Sequence, residues 1–231
     1  MTMSWIPLFA FFAIAPAEEN PMTLKMTLHE MSLKAQALPE ELSPERMEEL
    51  DAMAAWVADQ SQETPTELTF ICTHNSRRSH MGQIWAQAAA WHFGLNDVRT
   101  FSGGTEATAF NPRAVRALRE LGVAIDVSEE ADNPVYTVQL QSDRPSFEAF
   151  SKTYGDAANP SEGYAAVMVC SSADQGCPIV HGSAARFAIP YIDPKVSDGT
   201  DAEAATYRVR ALQIGAEAFY VMARAAELRA Q

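Results

Sequence analysis

The stretch LTFICTHNSRRSHMGQIWAQAAA, residues 68–90, decides the fold because its apolar residues change period on either side of a short polar loop. Before the loop, the short and mostly apolar run from Leu68 to Ile71 is typical of a strand buried in a parallel sheet. After the loop, four apolar residues recur at helical spacing: Met81, Ile84, Trp85 and Ala88. The stretch therefore predicts a strand, a loop and a helix, in that order.

The same alternation continues toward the carboxyl terminus. Further strands are predicted at residues 98–101, 135–140, 164–169 and 186–191. Strands that alternate with helices predict an α/β fold with a parallel sheet covered on both faces. Residues 131–163 are rich in Pro, Asn, Ser and Gly and are predicted to be an insertion of loops around one short strand.

Two later helices have recognisable ends. Asn111 with Pro112 is predicted to open a helix that Gly122 closes. Thr200 and Glu203 are predicted to form a capping box at the start of a long final helix. The predicted buried stripe of that helix is Val209, Leu212, Ala216, Phe219 and Ala223.

Composition limits what the protein can bind. Its 231 residues include 17 Lys and Arg against 30 Asp and Glu, a formal net charge of -13. Such a charge repels nucleic acid and anionic membranes, so neither is an expected partner. It also repels anionic substrates, so an anion site needs its own cluster of positive side chains and backbone N–H groups. The three cysteines are too few for a disulfide scaffold and are expected to be reactive or buried thiols.

The first residues have a character of their own. Residues 1–21 include an apolar run from Trp5 to Ala15 and are interpreted as an apolar leader or a disordered extension. No Lys or Arg precedes the run, and it is too short to span a bilayer. We expect a cytoplasmic protein; the alternative is export, if residues 1–17 act as a signal peptide.

The loop from Cys72 to Ser79 is a C-x5-R motif followed by Ser. A cysteine between a buried strand and a helix N-terminus lies among unpaired backbone N–H groups, which favours the thiolate. Arg78 offers a planar fork of donors to two oxygens of a tetrahedral oxyanion. Ser79 can donate to the sulfur, and Asn75 tolerates the left-handed backbone that such a loop needs. We expect a thiol nucleophile here; the alternative is a chance motif around a buried thiol.

Four segments together resemble a known family. FICTHNSRRSHMGQ, residues 70–83, is similar to the signature loop of the low-molecular-weight protein tyrosine phosphatases and of the thioredoxin-coupled arsenate reductases built on the same fold. SGGTEATAFNPRAVRALRELG, residues 102–122, is similar to the next segment of the reductase branch. VMVCSSADQGCP, residues 167–178, and YIDP, residues 191–194, are similar to its later segments.

This resemblance implies a three-layer α/β sandwich with a four-stranded parallel sheet flanked by helices. It implies Cys72 as nucleophile, Arg78 as oxyanion clamp and Asp193 as general acid; the alternative for Asp193 is a residue that only initiates a proline turn. The expected oxyanion-binding residues are Thr73, His74, Asn75, Ser76, Arg77, Arg78 and Ser79.

The phosphatase-like catalytic domain is predicted to cover residues 67–231. Residues 22–66 are interpreted as an N-terminal helical extension, because Ser43 and Pro44 can begin an amphipathic helix. Neither the first 60 or so residues nor the 131–163 insertion has a counterpart in the family pattern.

The sequence departs from that pattern at the mouth of the site. His74 stands where the family usually has Gly, and Arg77 stands where it often has Cys. After the Asp-Pro pair, residues 195–197 lack the aromatic side chains that a phosphotyrosine phosphatase would use to dock a phenyl ring. These differences disfavour a tyrosine phosphatase and leave open a non-catalytic oxyanion-binding module.

Cys170 and Cys177 form a second thiol pair. Seven residues of helix rise about 10.5 Å, whereas a disulfide needs Cα atoms roughly 4.4 to 6.8 Å apart. A helical segment must therefore unwind before the pair can oxidise, which suits a redox shuttle better than a staple. The alternatives are a core thiol with a surface cysteine, or a zinc site formed with Cys72 and His181.

The leading prediction is an arsenate reductase in which Cys72 attacks arsenate, Cys170 attacks the Cys72 adduct and Cys177 attacks Cys170, with thioredoxin as external reductant. The alternative is a phosphomonoesterase that uses only the Cys72, Arg78 and Asp193 site. No metal and no resident cofactor are expected. The side chains of His74, His80 and His181 are predicted to lie at the rim or the surface.

Overall fold

The computed structural model describes residues 21–127, 129–176 and 179–231. These residues form seven strands: β1 (Thr66–Cys72), β2 (Val98–Gly104), β3 (Ala124–Val127), β4 (Tyr136–Gln139), β5 (Phe147–Ala149), β6 (Ala165–Met168) and β7 (Ala185–Ala188). They also form six α-helices: α1 (Pro21–Glu41), α2 (Pro44–Asp59), α3 (Arg78–His92), α4 (Pro112–Glu120), α5 (Ser171–Gly176) and α6 (Glu203–Arg229).

Four strands build the central sheet, in the spatial order β2-β1-β6-β7. All three neighbouring pairs are parallel. Every residue of β1 is buried except Glu67, as expected for a strand covered on both faces. The predicted four-stranded parallel sheet flanked by helices is confirmed.

The register of the sheet places Cys72 and the residues that follow β6 at the same edge. Cys72, the last residue of β1, pairs with Gly104 at the end of β2. On the other side of β1, Ile71 pairs with Met168 of β6, so the residues that follow both strands emerge close together. In parallel α/β sheets this carboxyl edge is where ligands bind.

The final helix α6 is the element around which the other helices pack. It contacts α1, α2, α3 and α4. Its close approach to α1 depends on Gly215, because a Cβ atom there would lie 2.3 Å from Cε of Met31. The prediction for its start was wrong: α6 begins at Glu203 after Ala202, which makes no side-chain cap, and Glu203 instead accepts from the Gly199 N–H at 2.7 Å.

The helical extension contains two helices, α1 and α2, of which only α2 was predicted. The N-cap is confirmed, since Ser43 Oγ accepts from the Arg46 N–H at 3.3 Å. Helix α1 was not predicted, although its buried residues recur every three or four positions: Leu24, Leu28, Met31, Ala35 and Leu38. The apolar residues of α1 and α2 belong to the same core as the sheet. The division between residues 22–66 and 67–231 stays a prediction, and residues 1–20 lie outside the described part of the chain.

One position of the predicted α6 stripe was also wrong. Val209 is 62% exposed, while Tyr207 and Ala211 beside it are buried. The buried face at the start of the helix is formed by Tyr207 and Ala211 instead of Val209. A Val is apolar whether or not it faces the core, so its residue type alone does not show its burial.

Residues 131–163 contain more order than the predicted loops and single strand. β4 pairs with β3 and β5 in an antiparallel sheet of order β3-β4-β5. Beyond β5 the chain returns to the main sheet, where Gly104 forms a parallel bridge with Thr153. The insertion therefore ends against the carboxyl edge of β2.

Across the three described stretches of chain, every helix is too short or too polar to cross a membrane.

Candidate active site

The loop between β1 and α3 curls around a point in front of Cys72. Asn75, at the middle of the loop, has φ of 42° and is the one described residue other than Gly with a left-handed backbone. Asn is among the few residue types that adopt this conformation readily. The turn reverses the direction of the peptide groups before α3 begins at Arg78.

All five carbonyl groups from Cys72 to Ser76 are held from outside the loop. The Thr105 N–H donates to Cys72 O at 3.2 Å, and the Glu106 N–H and Thr105 Oγ1 donate to Thr73 O at 2.8 and 3.1 Å. Thr108 Oγ1 and Ser151 Oγ donate to His74 O at 3.0 and 3.1 Å. His80 Nε2 donates to Asn75 O at 2.9 Å, and the Asn111 N–H donates to Ser76 O at 2.8 Å. The backbone N–H groups of residues 74–77 donate to no other described residue. The loop thus keeps its N–H donors free for an anion.

His80 contacts the loop at Asn75, the residue with the left-handed backbone. The predicted rim position of His80 was wrong, because its side chain is fully buried. A carbonyl oxygen can only accept, so Nε2 carries the proton that binds Asn75 O. Nδ1 then accepts from Ser102 Oγ at 3.2 Å. Burial first, and the nearby Lys152 charge second, lower the pKa of His80 to about 3. The imidazole is therefore neutral, and it stacks on Phe110.

Cys72 has one side-chain partner in the loop. Its Sγ lies 3.1 Å from Ser79 Oγ, and Ser79 Oγ already accepts from Asn75 Nδ2 at 2.9 Å. The hydroxyl proton of Ser79 is therefore free to point at the sulfur, as the sequence suggested. Asn75 is fixed in turn because its Oδ1 accepts from the Lys152 N–H at 2.8 Å.

Arg78 joins the loop to the segment that carries Asp193. Its Nη2 donates to Asp193 Oδ2 at 2.7 Å and its Nη1 donates to Tyr191 O at 2.8 Å. Its Nε is buried and has no hydrogen-bond partner among the described residues. Asp193 is 30% exposed and also caps the short 3₁₀ helix Pro194–Ser197 through the Lys195 N–H. Asp193 thus pairs with Arg78 and also has the geometry of a turn residue, and its predicted role as general acid stays a prediction.

Arg77 is directed away from the loop, toward α6. Its Nε donates to Tyr207 Oη at 2.9 Å, and its Nη2 lies 3.7 Å from Asp198 Oδ2. Burial, and after it the hydrogen bond to Asp198, raise the pKa of Tyr207 to about 12. The Arg77 side chain is thereby paired within the protein, and its Nε also lies 4.0 Å from Asp193 Oδ1. Its predicted role in binding an oxyanion stays a prediction.

The second thiol lies beside the loop. Cys170 is the second residue after the end of β6, and its Sγ is 3.5 Å from Thr73 Oγ1. The Ala173 N–H, in the first turn of α5, donates to the same sulfur at 3.3 Å. Both Cys72 and Cys170 are free and buried. The prediction for Cys177 falls outside the described residues.

The remaining predicted positions lie at the rim. His74 has a side chain that is 53% exposed, with Nε2 3.8 Å from Glu106 Oε2. His181 is exposed as well. Within the described ranges, no three His, Cys, Asp or Glu side chains are grouped as a metal site would require.

The 131–163 insertion supports the loop, and nothing in the sequence reasoning anticipated this. The Gly104 N–H donates to Lys152 O and the Tyr154 N–H donates to Gly104 O, both at 2.9 Å. Asn159 Nδ2 donates to Ser102 O at 3.1 Å. Gly104 must be Gly here, because a Cβ atom would lie 2.7 Å from the Asn75 N and 2.8 Å from Thr73 O.

Comparisons with known proteins agree with this geometry. The family model described as low molecular weight phosphotyrosine protein phosphatase matches residues 67–136. Arsenate reductase 2 of Staphylococcus epidermidis is 31% identical over 126 residues, which cover 54% of this chain and 76% of the relative. The arsenate reductase of Halalkalibacterium halodurans is 30% identical over 134 residues, 58% of this chain and 78% of the relative.

Among solved structures, the low molecular weight protein tyrosine phosphatase of T. tengcongensis matches with a TM-score of 0.44 and 19% identity, over 66% of this chain and 95% of that chain. A TM-score this low adds no weight, so the assignment rests on the sequence relatives. The chain belongs to the low-molecular-weight protein tyrosine phosphatase superfamily, the two relatives named above are arsenate reductases, and it is an enzyme of one of these two kinds.

Proposed function

We propose that this enzyme reduces arsenate to arsenite through a relay of Cys72, Cys170 and Cys177, with thioredoxin as the external reductant. The observation that carries the proposal is the position of Cys170, whose sulfur contacts Thr73 of the nucleophile loop at 3.5 Å. Hydrolysis of a phosphate ester has no use for a second thiol at this place. A protein in which only Cys72 reacts would be free to place any small apolar residue there.

The proposed reaction has four steps. The Cys72 thiolate displaces one oxygen of arsenate, which leaves as water after taking up protons, and Asp193 is suited to supply one of them. Cys170 then attacks the Cys72 sulfur, and the electron pair of the S–As bond stays on arsenic, which is released as arsenite. Cys177 attacks Cys170, which frees Cys72. Thioredoxin finally reduces the Cys170–Cys177 disulfide with two electrons.

The surroundings of each group support these roles. The N–H groups of residues 74–77 donate to no described residue and can bind the oxyanion, and Arg78 adds a guanidinium whose Nε is without a partner among the described residues. The N–H of Ala173 on Cys170 Sγ stabilises negative charge on the second sulfur. Helix α5 is six residues long with one buried residue, Ala173, so unwinding it during oxidation costs little packing.

The proposal needs no resident metal or cofactor, because all electrons pass through cysteines. Such a relay suits a reducing compartment, and we therefore propose a cytoplasmic location. Phosphomonoester hydrolysis remains the second candidate, and the hydrogen bond between Arg78 and Asp193 favours it, since clamp and acid are the parts that such a reaction requires.

The variant Cys177→Ser separates the two candidates. A reductase with this change releases about one arsenite per enzyme and stops with Cys72 joined to Cys170, because no third thiol resolves that bridge. A phosphatase with the same change hydrolyses a small aryl phosphate at the wild-type rate. Arsenite release, thioredoxin-coupled NADPH oxidation and mass spectrometry of the digested, stalled protein measure these outcomes.

Cys170→Ser is the matched control. This variant forms the Cys72 adduct but releases no arsenite, because the attacking sulfur is missing. Sustained thioredoxin-coupled turnover by Cys177→Ser would overturn the three-thiol relay and leave the phosphatase as the better candidate.

A further inference from the structure

A carboxylate is buried in the middle of α6. Glu217 is 1% exposed, and its Oε2 accepts hydrogen bonds from Arg46 Nε at 3.1 Å, Arg46 Nη2 at 2.8 Å and Tyr191 Oη at 3.0 Å. Gln213 Nε2 donates to the other oxygen at 3.2 Å. A buried carboxylate is tolerated only when it is paired and fully hydrogen-bonded, and here the pairing cation is Arg46.

Arg46 comes from the helical extension, outside the part of the chain that the family model matches. It lies in the first turn of α2, where the helix dipole disfavours a cation. Its tertiary contacts must therefore outweigh the local preference of the helix. A residue that contradicts its local environment in favour of a distant partner is a candidate for a functional role.

The same arginine grips the segment that leads to Asp193. Its Nη2 donates to Pro190 O at 3.3 Å, and its Cζ lies 5.0 Å from the centre of the Tyr191 ring. Burial first, and Glu217 next, raise the pKa of Tyr191 well above its usual value, so its hydroxyl remains a donor to Glu217. Arg46 thus contacts this segment directly at Pro190 O and at the Tyr191 ring. It also reaches the Tyr191 hydroxyl indirectly, through Glu217.

The opposite side of the segment is held by the nucleophile loop. Arg78 binds Tyr191 O and Asp193, as described above. Arg77 Nε also lies 4.0 Å from Asp193 Oδ1. Residues 190–193 therefore contact guanidinium groups from the loop after β1 and from α2. Arg46 itself contacts Glu217, Glu49, Pro190 and Tyr191, so it acts on the site only through other residues.

We propose that Arg46 is a positioning residue for the reaction: through Glu217 and Tyr191 it sets the place of Asp193 relative to Arg78, so that helix α2 is part of the working enzyme. The inference rests on the acid role of Asp193 in the proposed function. A misplacement of about 1 Å at a reacting group can cost on the order of 10²-fold in rate, so a loose segment slows proton transfer while leaving the oxyanion bound.

The test compares Arg46→Met with a matched control, Arg229→Met. Arg229 is also buried, binds the carboxylate of Asp97 at 2.7 and 2.8 Å and donates to Val57 O of α2 at 2.9 Å. Asp97 precedes β2, at the edge of the sheet opposite the site. Arg46→Met removes an ion pair between α2 and α6, and Arg229→Met removes one between α6 and the residue before β2. Both changes therefore destabilise the fold, but only Arg46 contacts the segment that leads to Asp193.

The full-length variants are assayed for arsenite release and for hydrolysis of phenyl phosphate. The phenolate of this ester is a poor leaving group, so its departure depends on a general acid. We expect Arg46→Met to lower kcat between about tenfold and 10²-fold with KM changed less than about threefold, and Arg229→Met to keep kcat within about twofold. In an Asp193→Asn background, adding Arg46→Met should cause no further loss, because the group that it positions is gone.

Tyr191→Phe keeps the inference testable if Arg46→Met does not fold. It removes the hydroxyl on Glu217 but keeps the ring beneath Arg46, and we expect a loss of about three- to tenfold in kcat on the wild-type background and none on the Asp193→Asn background. Equal kcat for Arg46→Met, Tyr191→Phe and wild type, with Asp193→Asn slow, would overturn the positioning role alone. An Asp193→Asn variant as fast as wild type would overturn the acid assignment and this inference with it.

Discussion

Arg78 Nη2 donates to Asp193 Oδ2 at 2.7 Å, which links the nucleophile loop after β1 to the segment after β7. The two strands are separated by β6 in the sheet, so the contact spans the carboxyl edge. In this structure the Arg78 guanidinium and the Asp193 carboxylate form an ion pair. An arriving oxyanion competes with Asp193 for the guanidinium, whose Nε is buried and has no hydrogen-bond partner among the described residues.

We predict that Arg78→Lys weakens competitive inhibition by inorganic phosphate by about tenfold or more. An ammonium keeps the charge but loses the planar fork, which is worth several hydrogen bonds to an oxyanion. Arg113→Lys is the control, because Arg113 pairs with Glu203 at 2.7 Å at the rim. Inhibition constants from aryl phosphate hydrolysis measure the effect, and equal constants for Arg78→Lys and wild type would remove the clamp role.

We predict that Asp193→Asn slows the hydrolysis of aryl phosphates in proportion to the basicity of the leaving group. A general acid contributes roughly 10² to 10⁴ in rate, and it contributes most when the leaving oxygen is a poor leaving group. The amide keeps one acceptor oxygen, for either Arg78 or the Lys195 N–H, and turns its NH2 toward the other donor, so the free energy of unfolding is measured beside the kinetics. The slope of log kcat against leaving-group pKa measures this; an unchanged slope would leave Asp193 as a turn residue only.

We predict different stability losses for Asn75→Gly and Asn75→Ala. Both variants lose the hydrogen bonds to Ser79 and from Lys152, but only Ala also strains the left-handed backbone at φ of 42°. Ala should therefore cost about 1 kcal/mol more than Gly in the free energy of unfolding. Urea denaturation of both proteins measures the difference. A loss that is the same for the two would mean that the side-chain bonds, not the conformation, are what the loop requires.

We predict that stability falls in acid partly because of His80. Its pKa is lowered to about 3 in the folded protein and lies near 6.5 in the unfolded chain. The unfolded state therefore binds a proton first, and the free energy of unfolding decreases as the pH falls below about 6.5, by up to about 1.4 kcal/mol per pH unit from this residue.

The His80→Gln variant measures this contribution, since an amide can still donate to Asn75 O but does not titrate. The difference in unfolding free energy between wild type and variant should shrink between pH 7 and pH 4. A difference that stays constant over this range, or a His80 ring signal that titrates near pH 6.5 in NMR spectra of the folded protein, would contradict the buried neutral imidazole.

The order of strands and helices could be read from local pattern. Leu68 to Ile71 is apolar because both faces of β1 are covered, and Asn111 with Pro112 marks the start of α4 because capping is a local interaction. Helix α1 has an equally regular period, at Leu24, Leu28 and Met31, although the stretch also carries polar residues. Its signal was available in the sequence.

What the sequence by itself determined was the loop: a cysteine after a buried strand, an arginine at the first turn of a helix, and Asn75 between them, all within eight residues. The tertiary structure alone decided which residues outside the loop hold it. His80 was expected at the rim but binds Asn75 O from behind, and Ser151 of the insertion binds His74 O. Arg46 reaches Glu217 across 171 positions of sequence. Such contacts leave no period or spacing in the sequence, because a polar residue that is buried by its partners has the same letter as one that faces water.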